Sequence, residues 1–244
     1  MTTAGAVLRD FDALPFGTLD ELIGPGRPLI LAPHPDDESL GCGGLIAACS
    51  ARGRPPCIVV VTDGTGSHPA SRTHPPARLR AVREQEARAA AQHLGIEPDT
   101  VVFLRLRDTA VPREGALFDA TVSVITGHLR AAMCSVILAP WRHDPHCDHV
   151  AADAMARQVA RIAGVAHLSY PVWGWTLPPD SLLPDEPLAG WRLDISEQLD
   201  AKRAAIVTHR SQYSNLITDD PTGFRLPANF IAIFTRPHEV FVRA

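Results

Sequence analysis

Two short clusters of histidine and aspartate each follow an apolar stretch of the sequence. His34-Pro35-Asp36-Asp37-Glu38 comes directly after Pro28–Ala32, and His143-Asp144-Pro145-His146-Cys147-Asp148-His149 comes after Ser135–Ala139. Burying several carboxylates side by side costs desolvation free energy that packing alone does not require, whereas a divalent cation compensates that cost. Two such clusters at two strand ends predict one metal site built from both.

The residue types suit a catalytic zinc ion. Imidazole and carboxylate groups are zinc ligands, and a catalytic site has three protein ligands and an open position for water. We assign His34, Asp37 and His149 as the ligands of one Zn²⁺ per chain. Asp36 is adjacent to a ligand and is placed to accept a proton from metal-activated water. His146 is placed to polarise a substrate carbonyl or to protonate a leaving amine.

Each cluster also has a purely structural explanation. Acidic residues such as Glu38 favour the first turn of a helix because of the helix dipole, and histidines occur in turns. This explanation fits either cluster alone better than it fits the pair. If the pair forms one site, Asp148 is expected to orient an imidazole ligand through a hydrogen bond.

Alternating strands and helices are expected to position the two clusters. Apolar stretches without polar alternation predict strands covered on both faces, and helical spacing of apolar residues separates them. The predicted strands are Pro28–Ala32, Cys57–Val61, Val101–Leu106, Ser135–Ala139 and Ala166–Trp173, and the predicted helices cover about 77–94, Phe118–Leu129 and Ala151–Ile162. This order predicts an α/β fold with a Rossmann-like open, mostly parallel sheet and helices on both faces.

The same pattern predicts one domain over residues 1–244, with its core at about 27–175 and C-terminal elements at about 190–244. We expect irregular structure in residues 1–26, a surface loop at Leu177–Pro187 and terminal strands at Asn229–Thr235 and Val240–Val242. Ligands of open parallel sheets bind beyond the carboxyl ends of the strands, where the strand order reverses. The first and fourth predicted strands should flank that point and bring the clusters together.

The composition narrows the function classes. The chain has 244 residues, of which 45% are hydrophobic, and a net charge of −4, so it lacks the basic surface that nucleic-acid binding requires. We see no apolar stretch of the ~20 residues that cross a bilayer and no signal-peptide pattern, and therefore expect a cytoplasmic protein. The five cysteines form no C-x-x-C pair and are expected to be reduced. Cys147, inside the second cluster, is a minor candidate for a metal ligand.

Two motifs resemble those of a known family. Ala32-Pro33-His34-Pro35-Asp36-Asp37-Glu38 and His146-Cys147-Asp148-His149 are similar to the first and second motifs of the LmbE-like (PIG-L) deacetylases, although the family shows a small residue where Pro33 stands. These are metal-dependent hydrolases that remove acyl groups from amino sugars and related N-acyl compounds. The resemblance extends from about Leu29 to Gln212, with supporting matches at Thr62–Gly66, Arg105–Asp108, Lys202 and His209–Gln212.

The resemblance implies the same zinc ligands, Asp36 as general base and His146 as the oxyanion or proton-transfer residue. It also implies contacts to an N-acetylated sugar, or a conjugate of one, from the loops after the second and third strands. For these contacts we select Arg72 and Asp108. Some members place an acidic tyrosine before the second motif, where this chain has Trp141 and Asp144. Protonation of the leaving group is therefore expected to depend more heavily on His146.

Several alternatives remain at the level of sequence. One is an amidase acting on a sugar–thiol or antibiotic-intermediate conjugate. Another is a nucleotide- or S-adenosylmethionine-binding protein, because Gly41-Cys42-Gly43-Gly44 superficially resembles a phosphate loop, although it does not follow G-x-G-x-x-G. A third is a non-haem iron oxygenase, since two histidines and a carboxylate also bind iron. The physiological metal and the oligomeric state stay open, and a homo-oligomer is compatible with the sequence.

Other polar and aromatic residues have structural interpretations. We expect His68 and His74 in an exposed loop, Arg83 and Glu86 in a surface ion pair one helical turn apart, and His209 and Gln212 either near the site or capping a helix. For Trp141, Trp173 and Trp175, core packing is the first expectation and an aromatic wall for a sugar ring the second.

Overall fold

The structure, a computed structural model, describes all 244 residues. The strands are β1 (Thr2–Thr3), β2 (Phe16–Gly17), β3 (Arg27–Ala32), β4 (Cys57–Thr62), β5 (Val102–Leu106), β6 (Cys134–Pro140), β7 (Ala166–Tyr170), β8 (Leu182–Leu183), β9 (Gly190–Asp194) and β10 (His238–Arg243). The helices are α1 (Ala4–Ala13), α2 (Leu19–Ile23), α3 (Asp37–Ala51), α4 (Pro76–His93), α5 (Ala116–Ala131), α6 (Cys147–Ala163), α7 (Leu199–Thr208), α8 (Arg210–Tyr213) and α9 (Ala228–Phe234).

Eight of the strands form one open sheet in the order β2-β9-β10-β7-β6-β3-β4-β5. The five strands β3 to β7 all run parallel to one another. Strand β10 runs antiparallel to both β7 and β9. The predicted α/β fold with a mostly parallel sheet is therefore confirmed. Strands β3 and β6 are adjacent, while the chain leaves them in opposite directions across the sheet, so the reversal of strand order lies between them.

Helices cover both faces of this sheet. Leu29 and Leu31 point to the face on which α5 and α6 pack, whereas Ile30 and Ala32 point to the face covered by α3, α4 and α7. Because both faces are buried, the central residues of these strands are apolar on both sides, as Leu29–Ala32 shows, which is the pattern seen in the sequence. Burying a leucine or isoleucine side chain contributes about 1.5–3 kcal/mol, so these strands hold the loops after them firmly.

The prediction of irregular structure in residues 1–26 is wrong. Two helices, α1 and α2, occupy this region, and α2 begins with a capping box in which Thr18 and Glu21 satisfy each other's backbone N–H groups. The T-x-x-E spacing was the available signal. Leu19, Leu22 and Ile23 then pack into the main core.

The terminal strand predicted at Asn229–Thr235 is also wrong, because this segment is helix α9. Pro227 precedes the helix, and Phe230, Ile231 and Phe234 recur on one helical face that packs on the core. The β-branched content favoured a strand, but one-sided burial selects the helix. The loop predicted at Leu177–Pro187 contains the short strand β8, which pairs with β1. No helix combines the length and apolar character needed to cross a lipid bilayer.

Candidate active site

Two neighbouring turns carry the clustered residues. Strand β3 ends at Ala32 and α3 begins at Asp37, so His34 and Asp36 lie in the turn between them. The loop between β6 and α6 carries the second cluster, and His149 lies in the first turn of α6. The two turns meet because β3 and β6 are adjacent parallel strands.

One carboxylate oxygen lies between two imidazoles from the two turns. Asp37 Oδ2 is 3.1 Å from His34 Nδ1 and 3.2 Å from His149 Nε2. Neighbouring ligands of a tetrahedral zinc ion are separated by about 3.3 Å, given bonds of about 2.0–2.1 Å. His149 Nε2 is buried and has no correctly aligned hydrogen-bond partner. A buried nitrogen that is close to a carboxylate without bonding to it fits a cation ligand better than a structural hydrogen bond.

The other nitrogens of both rings face aspartates. His149 Nδ1 is 2.9 Å from Asp144 Oδ2, and Asp144 also accepts backbone hydrogen bonds from Val172, Trp173 and Gly174. His34 Nε2 is 3.2 Å from Asp108 Oδ1 and 3.3 Å from Asp148 Oδ2. Such contacts set the orientation of metal-ligating imidazoles. Asp148 lies where the sequence placed an orienting residue, and Asp144, which sequence reasoning did not assign, makes the matching contact to His149.

The site has a surplus of buried acid. Burial opposes the charged form, yet the neighbouring carboxylates raise the pKa of His34 well above its usual value and that of His149 to about 9. Burial acts to raise the pKa of Asp37. The charges of His149 and His34 outweigh this effect and bring the pKa well below its usual value. Protons on two imidazoles thus offset part of the negative charge, and a divalent cation would replace those protons.

The donor atoms therefore fit a divalent metal ion. Ring nitrogens of His34, His146 and His149 lie within 4.8 Å of one another, and a second group combines His34 and His146 with Asp108 and Asp148. Histidine nitrogen and carboxylate oxygen suit zinc, and also other first-row metals. The side chain of Cys147 is exposed and contacts Thr109 O and Asp148 instead.

Asp36 has an unusual backbone conformation. Its φ angle is 156°, in a region that L-residues rarely adopt and that costs on the order of 1–3 kcal/mol. Although Asp36 is the N-cap of α3, its carboxylate makes no capping hydrogen bond. It faces Arg83 instead, with 3.2 Å between Oδ2 and Nη2. Burial raises the pKa of Asp36 to about 6, even though Arg83 opposes the rise.

His146 is the N-cap of α6. Its Nδ1 accepts a hydrogen bond from the backbone N–H of Asp148 at 3.2 Å, which leaves Nε2 as the nitrogen free for other partners. Burial, together with the nearby His34 and His149, lowers the pKa of His146. A neutral His146 with its proton on Nε2 is therefore the form that this geometry favours.

A cavity of about 410 Å³ opens above these groups. Its polar lining includes Asp36, Arg83, Asp108 and His146, and its apolar lining consists of Leu40, Trp173, Phe224 and Leu226. Asp108, selected from the sequence as a sugar contact, lies in this lining. Arg72 does not: it is exposed, and its backbone N–H donates to Asp219 at the loop edge.

The arginine in the cavity is Arg83, which sequence reasoning assigned to a surface ion pair with Glu86. That interpretation is wrong. Arg83 is 3% exposed and donates to the carbonyls of Gly64 and Pro35, while Glu86 accepts hydrogen bonds from Ser211. Helical spacing gave the pair, but no sequence signal showed that this helical face is buried.

Two histidines and two tryptophans can now be placed. His68 and His74 were expected in an exposed loop, yet both are buried. Trp141 packs in a small core with Phe11, whereas Trp173 lines the cavity.

The run Gly41-Cys42-Gly43-Gly44 lies inside α3, where Cβ atoms on the three glycines would collide with Tyr170, Lys202 and Ile195. These glycines permit close packing and do not form a phosphate loop.

Comparison with known proteins agrees with this geometry. Residues 29–160 match the family model of PIG-L, the GlcNAc-PI de-N-acetylases, and this match covers more than half of the 244 residues. The chain belongs to the PIG-L family. The resemblance inferred from the two motifs is thereby confirmed, and with it the prediction of an amide hydrolase of the deacetylase type.

Similar proteins include two curated deacetylases. The diacetylchitobiose deacetylase of Thermococcus kodakarensis is 27% identical over 197 residues, which cover 77% of this chain and 70% of that protein. The 1D-myo-inositol 2-acetamido-2-deoxy-alpha-D-glucopyranoside deacetylase of Mycobacteroides abscessus is 28% identical over 259 residues, with coverages of 88% and 91%. The crystal structure of the zinc-inhibited form of teicoplanin deacetylase shares the fold, with a TM-score of 0.64, 17% identity and coverages of 89% and 98%.

Proposed function

We propose that this protein is a zinc-dependent deacetylase that hydrolyses the N-acetyl group of an amino sugar or of a small conjugate of one. The supporting observation is the arrangement around Asp37, whose Oδ2 lies within 3.2 Å of imidazole nitrogens from both turns. A buried nitrogen without a hydrogen-bond partner and an adjoining cavity complete the argument. His34, Asp37 and His149 would hold the ion.

When bound, the cation would polarise the acetamide carbonyl and increase the acidity of a water molecule. Asp36 accepts the proton of the attacking water, a role that suits a carboxylate whose pKa is raised to about 6. His146 also lines the cavity, and its Nε2–H would stabilise the developing oxyanion by a hydrogen bond without giving up the proton. The proton taken up by Asp36 is then available to the leaving amine, so that acetate and a free amine result. In this proposal Asp36 replaces His146 as the proton donor expected from the sequence, because the Nε2–H of His146 is engaged with the oxyanion.

The cavity lining suggests how the sugar is held. Asp108 and Arg83 offer charged partners for hydroxyl groups, and the Trp173 ring offers a flat surface for the apolar face of a pyranose. Arg83 takes the place of Arg72 in this proposal because Arg72 is exposed outside the cavity. The two curated relatives, by their names, act on diacetylchitobiose and on an inositol-linked acetamido sugar, and we carry the shared N-acetylated amino sugar to this chain.

The test is an assay of free amine released from a panel of N-acetylated sugars. The panel should include N-acetylglucosamine, a chitobiose derivative, a glycosylated inositol and an antibiotic aminoglycoside, each with the metal-stripped protein and with added zinc. We expect release of amine and acetate in equal amounts, abolished by chelation and restored by zinc. Release that persists in the stripped protein would contradict the metal-dependent mechanism. Restoration by another divalent metal alone would replace zinc in the proposal.

A further inference from the structure

A buried chain of polar contacts reaches Asp36 from behind the cavity. The backbone N–H of Asp36 donates to Glu38 Oε2 at 3.1 Å, in addition to the carbonyl of His34 at 3.0 Å. Glu38 Oε1 accepts the hydroxyl of Ser39 at 2.8 Å and lies 3.4 Å from His209 Nε2. His209 Nε2 is also hydrogen-bonded to the Ser39 hydroxyl at 3.1 Å. Glu38, Ser39 and His209 are each at most 2% exposed.

The N-terminus of α3 departs from the usual capping pattern. An aspartate at the N-cap normally turns its carboxylate onto the backbone N–H groups of the first helical turn. In α3 the carboxylate of Asp36 makes no such bond and faces the cavity and Arg83. The carboxylate of Glu38, two residues later, instead accepts from the backbone of Asp36 itself.

The conformation of Asp36 needs such support. A φ angle of 156° is strained for a residue with a Cβ, and strained residues persist only where surrounding contacts hold them. A buried Glu38 carboxylate would be costly without compensation, and His209 is the buried basic group beside it. His209 thus allows Glu38 to hold the backbone of Asp36.

The segment that carries His209 also reaches the cavity. His209 lies between α7 and α8, and the next turn is fixed because Glu86 accepts the backbone N–H of Ser211 at 2.8 Å and its hydroxyl at 2.6 Å. Gln212 follows, lines the cavity and accepts the backbone N–H of Leu226. One short segment therefore supports Asp36 from behind and forms part of the substrate cavity.

We infer that His209 is a positioning residue for the general base, acting through Glu38 on the strained backbone of Asp36. This inference rests on the proposed function, because it assigns to Asp36 the role of accepting the proton of water. The late His209-Arg210-Ser211-Gln212 motif then has a mechanistic purpose: it sets the direction in which the Asp36 carboxylate points.

The test compares His209→Gln with His167→Gln. His167 is a suitable control because its side chain is 6% exposed and lies 3.8 Å from an aspartate, Asp153, as another buried histidine–acid contact. Displacing a catalytic group by about 1 Å can cost 10²-fold, so we expect His209→Gln to lower kcat about 10- to 100-fold. KM and zinc content should stay unchanged, and His167→Gln should keep the wild-type kcat.

A double-mutant cycle separates positioning from general structural damage. If His209 acts through Asp36, the His209→Gln substitution should have no further effect on the residual kcat of Asp36→Asn. An equal fold-loss in both backgrounds, or a kcat of His209→Gln within twofold of wild type, would overturn the inference. If His209→Gln does not fold, Ser39→Ala replaces it in the same cycle, with a smaller expected loss. A wild-type protein that releases no amine would overturn both proposals, whereas an active wild type with an unaffected His209→Gln would overturn only this one.

Discussion

Two groups of buried acids in this protein differ in how their charge is compensated. Behind α3, each buried glutamate has its own partner: Glu239 lies 2.6 Å from Lys202 Nζ, Glu38 lies beside His209, and Glu86 accepts two hydrogen bonds from Ser211. At the carboxyl ends of β3, β5 and β6, five buried aspartates share a single buried arginine and three histidines: Asp36, Asp37, Asp108, Asp144, Asp148, Arg83, His34, His146 and His149.

The difference separates acids that the protein's own cations balance from acids whose arrangement suits a metal ion. The partners of a fully paired buried carboxylate offset its desolvation cost, whereas a surplus of carboxylates requires additional positive charge. Acid content alone is therefore a poor sign of a metal site. The useful sign is acid that the chain's own lysines and arginines do not balance, together with an imidazole nitrogen that has no hydrogen-bond partner.

The largest effect is expected from removing a proposed metal ligand from the group of five aspartates and three histidines. We expect His149→Ala to lose stoichiometric zinc and to fall at least 10³-fold in kcat/KM, since both the metal and its chemistry depend on three protein ligands. Metal analysis by mass spectrometry and the amine-release assay measure the two effects. A variant that keeps one zinc ion per chain would remove His149 from the ligand set.

The next effect concerns the base. Asp36→Asn keeps the size of the side chain but cannot accept the proton, so we expect kcat to fall by about 10²- to 10⁴-fold. Zinc content should equal that of the wild type, because Asp36 is not an assigned ligand. The two measurements together distinguish a base from a ligand: loss of zinc in Asp36→Asn would place this carboxylate on the metal.

Among the glutamates behind α3, a substitution should change the free energy of unfolding and leave the zinc content unchanged. Lys202→Met leaves Glu239 buried with only the backbone N–H groups of Gly44 and Leu45 as donors, and removal of one partner of a buried ion pair costs about 3–5 kcal/mol. Arg203→Met, the neighbouring residue in an exposed pair with Asp200, should cost less than about 1 kcal/mol. Urea unfolding of both variants measures the free energies. Equal values would show that burial does not set the difference.

The parts of this architecture that were predictable share a local signal. Strand β3 and the turn after it could be recognised because Pro28–Ala32 is continuously apolar, as in strands buried on both faces. In addition, consecutive acids at a strand end have few structural explanations. The convergence of both turns followed from the general rule for the reversal point of parallel sheets. The assignments of His34, Asp37 and His149 as ligands remain predictions that the geometry supports.

The parts that were not predictable depend on distant contacts. Arg83 and Glu86 have the spacing of a surface pair, but each has its own distant partners. Arg83 donates to the loops after β3 and β4, whereas Glu86 accepts hydrogen bonds from α8. Helix α9 contains residues that favour strands, and one-sided burial overrode that preference. His68 appears in a polar loop, and only the contact with the loop around Gly223 encloses it.

The smallest expected effect concerns Arg83, the buried arginine that faces Asp36. Arg83 lowers the pKa of Asp36, which burial raises from 3.8 to about 6. Removal of the cation in Arg83→Met should raise this pKa further. Since the base must be ionised, the acidic limb of kcat/KM should move to higher pH. Arg83→Lys keeps the charge and should leave the limb near its wild-type position, although it loses the contacts to Gly64 and Pro35.

The same shift has a consequence for stability whose sign can be stated. The folded pKa of Asp36 lies above its unfolded value, so the folded state binds the proton more tightly, and this residue's contribution to stability declines as the pH rises from about 4 to about 6. Arg83→Met should extend that decline to higher pH in the metal-free protein. If the pH profiles of Arg83→Met and Arg83→Lys coincide, the arginine acts through its hydrogen bonds alone, and charge balance around Asp36 must come from His34, His209 and the metal.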